Sequence, residues 1–117
     1  MRENRLAEFR RRLYREALSQ AERYLKALGL RRYRAFLFGS FARGDFNETS
    51  DVDLLVVSEE LPRDLRERWE VLSRARLAAP RVEPVGWRPE EWEARRRAGD
   101  LFLKVLEREA LEISRGK

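Results

Sequence analysis

The sequence contains neither cysteine nor histidine. Without cysteine there is no disulfide, thiolate nucleophile or cysteine zinc site, and without histidine there is no imidazole base, no serine–histidine–aspartate triad and no histidine metal ligand. Catalysis must therefore use carboxylates, hydroxyls, arginine, lysine, tyrosine or backbone amides. No apolar run approaches the roughly 20 residues of a membrane span, and the N-terminus lacks the apolar centre of a signal peptide. We therefore expect a cytoplasmic protein.

What the chain does contain is charge, and that charge is unevenly distributed. Of 117 residues, 26 are Lys or Arg and 21 are Asp or Glu, which gives a formal net charge of +5. Residues 1–34 hold 11 cations and 4 anions, whereas residues 35–61 hold one cation and six anions. A basic chain is typical of nucleic-acid binding, but the acidic centre requires a cation of its own, which a metal ion would supply. The abundant charge and the absent cysteine also favour a heat-adapted source.

The hydrophobic spacing predicts one α+β domain over residues 1–117, with an N-terminal helix in 1–30 and a core over 33–113. We expect a short mixed sheet of three to four strands packed with helices. The predicted helices are 4–28, 63–78, 90–97 and 101–110, with a short helical turn at 40–44, and the predicted strands are 33–38, 51–57, 81–86 and 111–113. The candidate core residues of the helices include Leu6, Leu65, Trp69, Leu72, Leu77, Leu101, Phe102, Val105 and Leu106.

Gly39-Ser40 follows the first predicted strand and precedes the short helical turn. Glycine lets the backbone approach a phosphate closely, and a serine hydroxyl together with the free amides of a first helical turn can bind phosphate oxygens. The alternative is a plain turn with a serine cap.

Asp51-Val52-Asp53 begins the second predicted strand. Side chains at positions i and i+2 of a strand point to one face, so both carboxylates are aimed at the same place. Two adjacent carboxylates repel each other unless a divalent cation lies between them, and Mg²⁺ accepts one or two carboxylates together with water and phosphate oxygens. If the third strand lies beside the second, Glu83 completes a three-carboxylate, two-metal site. The alternative for Glu83 is an exposed carboxylate paired with a nearby arginine.

These residues suit nucleotidyl transfer. Gly39-Ser40 would hold a nucleoside triphosphate, Asp51 and Asp53 would hold Mg²⁺, and Glu83 would help to bind a second metal and orient an attacking hydroxyl. In-line attack on the α-phosphorus then releases pyrophosphate, by positioning and charge neutralisation alone.

Gly39-Ser40, ten residues and then Asp51-x-Asp53 resembles the signature of the DNA-polymerase-beta-like nucleotidyltransferase superfamily. The longer run GSFARGDFNETSDVDLLVV resembles its minimal nucleotidyltransferase branch. The likeness covers about 20 residues closely and, as architecture, Ala35 to Ile113. It implies that Gly39 and Ser40 bind the triphosphate and that Asp51 and Asp53 bind catalytic Mg²⁺.

The resemblance also implies a third metal-binding carboxylate on a later strand, here Glu83, although many superfamily members have aspartate there. Arg43 matches an arginine of the motif and is expected to contact phosphate or to support the loop. The alternative is a surface ion pair with Asp45 or Glu48.

Three functions follow as hypotheses. The first is a Mg²⁺-dependent enzyme that transfers AMP from ATP to an acceptor hydroxyl, for example on a partner protein. The second, implied by the resemblance, is the antitoxin of a pair with a small helical HEPN protein, acting mainly by binding. The third is an inactive nucleotide- or RNA-binding module, against which the intact Ser40, Asp51 and Asp53 argue. A homo-oligomer that supplies the acceptor site remains a further expectation.

Overall fold

The computed structural model describes residues 2–113, with side chains from residue 5 onward. These residues form five helices and four strands, and the two kinds of element alternate except that the last helix directly follows the fourth. They are α1 Arg2–Leu28, β1 Arg34–Phe38, α2 Ser40–Arg43, β2 Val52–Val57, α3 Leu65–Ala75, β3 Val82–Trp87, α4 Pro89–Arg97, α5 Leu101–Glu109 and β4 Leu111–Glu112. None of the described helices is both long and apolar enough to cross a membrane.

The four strands form one mixed sheet in the order β3-β2-β1-β4. β1 is antiparallel to β2 and to β4, whereas β2 and β3 run parallel and are joined through α3. The parallel pair needs such a crossover, whereas antiparallel neighbours can be joined by short loops. The expected mixed sheet is confirmed.

Both faces of β2 are buried, because helices cover the sheet on both sides. Val52, Leu54 and Val56 join one cluster with residues of α1 and α3. Leu55 and Val57 point to the other face and join a second cluster with residues of α5, against which Trp92 of α4 packs. This two-sided burial explains why β2 reads as a continuous apolar run rather than an alternating one.

Arginine side chains cover the free edge of β3. Val52 and Ser58 donate backbone hydrogen bonds to the carbonyls of Arg81 and Trp87, so the odd-numbered carbonyls of this segment face β2. The carbonyls of Val82 and Gly86 therefore face outward. They accept hydrogen bonds from Arg76 Nε at 2.9 Å and Arg68 Nη1 at 3.1 Å. Pro84 lies between them without an N–H, and such features keep an edge strand from pairing with another chain.

The predicted core faces of two helices are wrong. In α3, Leu72 is buried, but Leu65 and Trp69 lie on the surface with exposed fractions of 71% and 59%. Leu77, which follows α3, is exposed as well. The face that α3 turns inward carries Arg68, Leu72 and Ala75 instead.

In α5 the buried residues are Leu103 and Leu106, whereas Leu101, Phe102 and Val105 are exposed. Leu6 of α1 is also exposed, since the buried stripe of this helix begins at Leu13. Apolar spacing identified the helices correctly but could not decide between overlapping apolar faces on short segments.

Arg68 occupies a core position because every part of its guanidinium has an acceptor. Its side chain is only 5% exposed and forms a two-pronged ion pair with Glu91, with N–O distances of 2.8 and 3.0 Å. Its Nε donates to the carbonyl of Pro62. Glu91 also accepts from the backbone N–H of Arg88 at the start of α4. This network connects α3, β3 and α4.

We expect Arg68→Met to lower the free energy of unfolding by about 2–3 kcal/mol, because it leaves Glu91 and the carbonyls of Pro62, Arg63 and Gly86 without their partner in a desolvated site. Urea denaturation measures this. Arg66→Met, at an exposed position of the same helix, should change stability by less than about 0.5 kcal/mol. Equal effects of the two variants would contradict a structural role for the buried arginine.

Candidate active site

The candidate site lies at one end of the sheet, where β1 finishes and where β2 and β3 begin. Phe38, Asp53 and Glu83 occupy one row across three strands, since Phe38 pairs with Asp53 and Asp53 pairs with Glu83. Side chains in register on neighbouring strands share a face. Asp51 lies two residues before Asp53 and just outside β2. The condition that the sequence set for Glu83, that the third strand lies beside the second, is therefore met.

Gly39 meets Asp53 directly. Its φ is +71°, a conformation that other residues seldom adopt, and a Cβ built on it would lie 2.2 Å from Asp53 Oδ2. The close approach requires glycine on both counts. It holds the backbone that enters α2 against the carboxylate, which is the arrangement needed for a ligand that contacts both.

α2 presents a short cradle beside this contact. Gly44 donates to the carbonyl of Ser40, which closes the single helical turn, and the first amides of such a turn have no acceptor within it. The Ser40 hydroxyl makes no hydrogen bond to any other described residue. Both the hydroxyl and the amides are therefore available to a ligand with oxygen acceptors.

The pKa of Asp53 is raised by its surroundings. Partial burial raises the pKa of its carboxyl, the neighbouring carboxylates of Asp51 and Glu83 raise this pKa further, and the cation of Arg43 opposes them. Like charges thus converge on one group. A divalent cation at this position would relieve the repulsion.

Glu83 faces Asp53 in register, but its carboxylate also has a cationic partner. Its Oε1 lies 3.6 Å from Arg76 Nη2, and about half of its side chain is exposed. Among residues 5–113, no three Asp, Glu, Cys or His side chains gather closely enough to hold a metal ion. The donor set of oxygen ligands nevertheless fits Mg²⁺.

Arg43 ends α2 and forms an ion pair with Asp45, at an Nε–Oδ2 distance of 3.3 Å, with half of its side chain exposed. This is the surface partner that the sequence offered as the alternative. Its electrostatic effect on Asp53 shows that its charge also reaches the carboxylates. The two observations place Arg43 at the edge of the site.

Three residues that stabilise the loop between α2 and β2 were not identified from the sequence. Asn47 Oδ1 accepts from the N–H of Thr49 at 2.9 Å, which makes an Asx turn. Arg10 of α1 donates to the carbonyl of Gly44 at 2.6 Å, and Arg81 donates to the carbonyl of Ser50 at 2.7 Å. The run Asn47 to Ser50 has the composition of a turn, which the sequence alone indicates. The contacts of Arg10 and Arg81 join residues distant in the chain, so no local sequence pattern indicates them.

A pocket of about 470 Å³ opens at the opposite end of the sheet. Val57, Ser58 and Trp92 are among its lining residues. It lies at the end of β2 remote from Asp53, and none of the predicted site residues lines it. Concavity alone therefore does not locate the candidate chemistry.

Residues 18–108 match the family of nucleotidyltransferase domains, and this span covers most of the chain. The chain belongs to the nucleotidyltransferase domain family. The matched span includes every residue of the candidate site.

Two curated relatives of this chain come from Methanocaldococcus jannaschii, and both are provisionally named protein adenylyltransferases. One is 48% identical over 42 residues, which is 36% of this chain and 41% of the relative. The other is 56% identical over 36 residues, which is 31% of this chain and 24% of the relative. The chain thus spans less than half the length of the relatives it matches.

A crystal structure of a protein from Sulfolobus solfataricus, provisionally named a nucleotidyltransferase, shows a similar fold. It superimposes with a TM-score of 0.55 over 91% of this chain and 83% of its own length, at 20% sequence identity. At this identity the likeness concerns the fold alone. It agrees with the mixed sheet and the flanking helices described above.

We expect Gly39→Ala to destabilise the protein by about 1–3 kcal/mol more than Gly29→Ala does. Gly29 has nearly the same φ, +72°, but nothing lies within 4 Å of a Cβ built there. The control therefore shares the positive φ but lacks the collision with Asp53. Urea denaturation of both variants measures the difference, and equal losses of stability would show that the contact of Gly39 with Asp53 is not close.

Asp53→Asn should stabilise the metal-free protein at neutral pH. The pKa of Asp53 is raised in the folded state, so the wild type loses stability as pH rises from the unfolded pKa through the folded pKa. The variant lacks this loss. Thermal denaturation in chelator should show a higher midpoint for the variant at pH 7 and a smaller difference near pH 3, where the carboxyl is protonated in both states. An advantage that is independent of pH would contradict the role of charge.

Proposed function

We propose that this chain transfers a nucleoside monophosphate, AMP from ATP, to an acceptor hydroxyl with the help of Mg²⁺. The single observation that carries the proposal is the close packing of Gly39 against Asp53 at the row shared with Glu83. It brings a backbone cradle suited to phosphate next to carboxylates suited to a cation. Membership of the family supplies the reaction class.

The residues divide the work by position. Ser40 and the first amides of α2 bind the outer phosphates of the triphosphate, and Arg43 adds a positive charge at the edge of this cradle. Asp51 and Asp53 would hold Mg²⁺, and Glu83 would contribute to binding a second metal ion. When bound, Mg²⁺ neutralises charge on the phosphates and on the leaving pyrophosphate. Glu83 lies on the row beside Asp53, where it orients the attacking hydroxyl.

The names of the relatives favour a protein as the acceptor. A hydroxyl of a partner protein suits this site, because the carboxylates lie at the open end of the sheet and Glu83 is exposed. The small helical partner implied by the motif is one such acceptor.

Incubation of the protein with α-labelled ATP and Mg²⁺, with a candidate acceptor protein present, tests the proposal. We expect transfer of label that stops in chelator and falls by more than about 100-fold in Asp51→Asn and Asp53→Asn, because even outer-shell partners of a metal cost 10–100-fold. Ser40→Ala should mainly raise the KM for ATP.

The matched control is Asp64→Asn, which removes one carboxylate at the start of α3. Asn preserves helix capping there, so transfer should stay at the wild-type level. Label that persists in Asp53→Asn would refute the proposed site. RNA binding that depends steeply on salt and ignores Mg²⁺, without any triphosphate binding, would instead identify the inactive binding module.

A further inference from the structure

Arg76 is a charged residue next to the candidate site for which the reaction outlined above has no use. It follows α3 at the turn toward β3. Its Nε donates to the carbonyl of Val82 at 2.9 Å, and its Nη2 donates to the carbonyl of Pro80 at 3.0 Å. Two fixed backbone acceptors thus hold the guanidinium, independently of any carboxylate.

The guanidinium lies on the free-edge side of β3. The carbonyl of Val82 faces outward, away from β2, so the group bound to it lies on that side too. Asp53 lies on the opposite side of Glu83, across the pairing of β3 with β2. Glu83 therefore stands between a fixed cation at the edge and the aspartates of β2.

The Glu83 carboxylate forms an ion pair with the Arg76 guanidinium. Its Oε1 is 3.6 Å from Arg76 Nη2, while the three carboxylates do not gather into a metal-binding cluster in the described part of the chain. Repulsion from Asp53 and attraction to Arg76 act in the same direction on this side chain. A divalent cation beside Asp53 would reverse this, because it would attract the Glu83 carboxylate toward Asp53 and away from Arg76.

We propose that Arg76 is a positioning residue that holds the Glu83 carboxylate at the free edge of β3 until a divalent cation draws it toward Asp51 and Asp53. The inference rests on the proposed function, because it takes Glu83 as the third carboxylate. It makes metal affinity a competition between one arginine and the metal ion. It also separates the two metal positions, since only the position that uses Glu83 must break an ion pair.

The test measures Mn²⁺ binding to the protein without nucleotide, by electron paramagnetic resonance of the free ion. Arg76→Gln should tighten binding roughly two- to fivefold, as expected from the strength of a half-exposed ion pair. Arg74→Gln is the matched control, since Arg74 lies on the exposed surface of the last turn of α3 and has no ion pair with a described residue. It removes the same charge without touching Glu83.

A double-mutant cycle separates the specific contact from the general field. In a Glu83→Gln background, Arg76→Gln should no longer tighten Mn²⁺ binding. An equal gain in that background, or an equal gain from Arg74→Gln, would overturn the inference.

If Arg76→Gln does not fold, Arg76→Lys takes its place, because it keeps the charge but loses the two-pronged anchor. It should bind Mn²⁺ more tightly than the wild type, and unchanged binding would overturn the inference as well.

The outcome for the wild type distinguishes the two proposals. If the wild type binds no Mn²⁺, or if Asp53→Asn binds it as well as the wild type, the proposed metal site fails and the role of Arg76 fails with it. If Asp53→Asn abolishes binding while Arg76→Gln changes nothing, only the role of Arg76 fails.

Discussion

The contact of Gly39 with Asp53 is the constraint on which the candidate site depends. The backbone that leaves β1 can approach Asp53 of β2 this closely only at a glycine, because glycine adopts positive φ readily and carries no Cβ. The antiparallel pairing of β1 with β2 brings the two segments together. The same pairing aligns Phe38 with Asp53 and so fixes the depth at which the carboxylate lies. The close packing of Gly39 on Asp53 and the alignment of Asp53 with Phe38 are thus two consequences of one strand pairing.

The rest of the fold supports this end of the sheet. β2 is buried on both faces, so Asp53 projects from a strand that is packed on both sides, and Asp51 directly precedes that strand. Arg68 and Arg76 connect α3 to the outward carbonyls of β3, which keeps the edge strand in parallel register with β2. Tyr24 of α1 donates to the carbonyl of Leu72 in α3 at 2.8 Å, and burial raises the pKa of this tyrosine. Long-range hydrogen bonds therefore connect the elements around the site. Of the three predicted metal ligands, Glu83 has a cationic partner among the described residues, which is Arg76.

Much of this arrangement was predictable from the sequence. Strand spacing and the run of apolar residues after Asp53 predicted the sheet, and the i, i+2 rule placed Asp51 and Asp53 together. The inner face of α3 was not predictable, because Arg68 is buried only through Glu91 and the carbonyls of distant residues. The partner of Glu83 was equally hidden, since Arg76 reaches it around the sheet edge and not along the chain. Local patterns identify elements and motifs, whereas long-range ion pairs depend on the assembled fold.

The central claim is that Asp51 and Asp53 bind a divalent cation together with a triphosphate. The most direct measurement is a crystal structure with Mn²⁺ and a non-hydrolysable ATP analogue, using the anomalous signal of the metal. The account predicts a metal peak within bonding distance of both aspartate carboxylates, with the phosphates lying against Ser40 and the start of α2. A nucleotide bound elsewhere, or a metal that contacts neither aspartate, would contradict it.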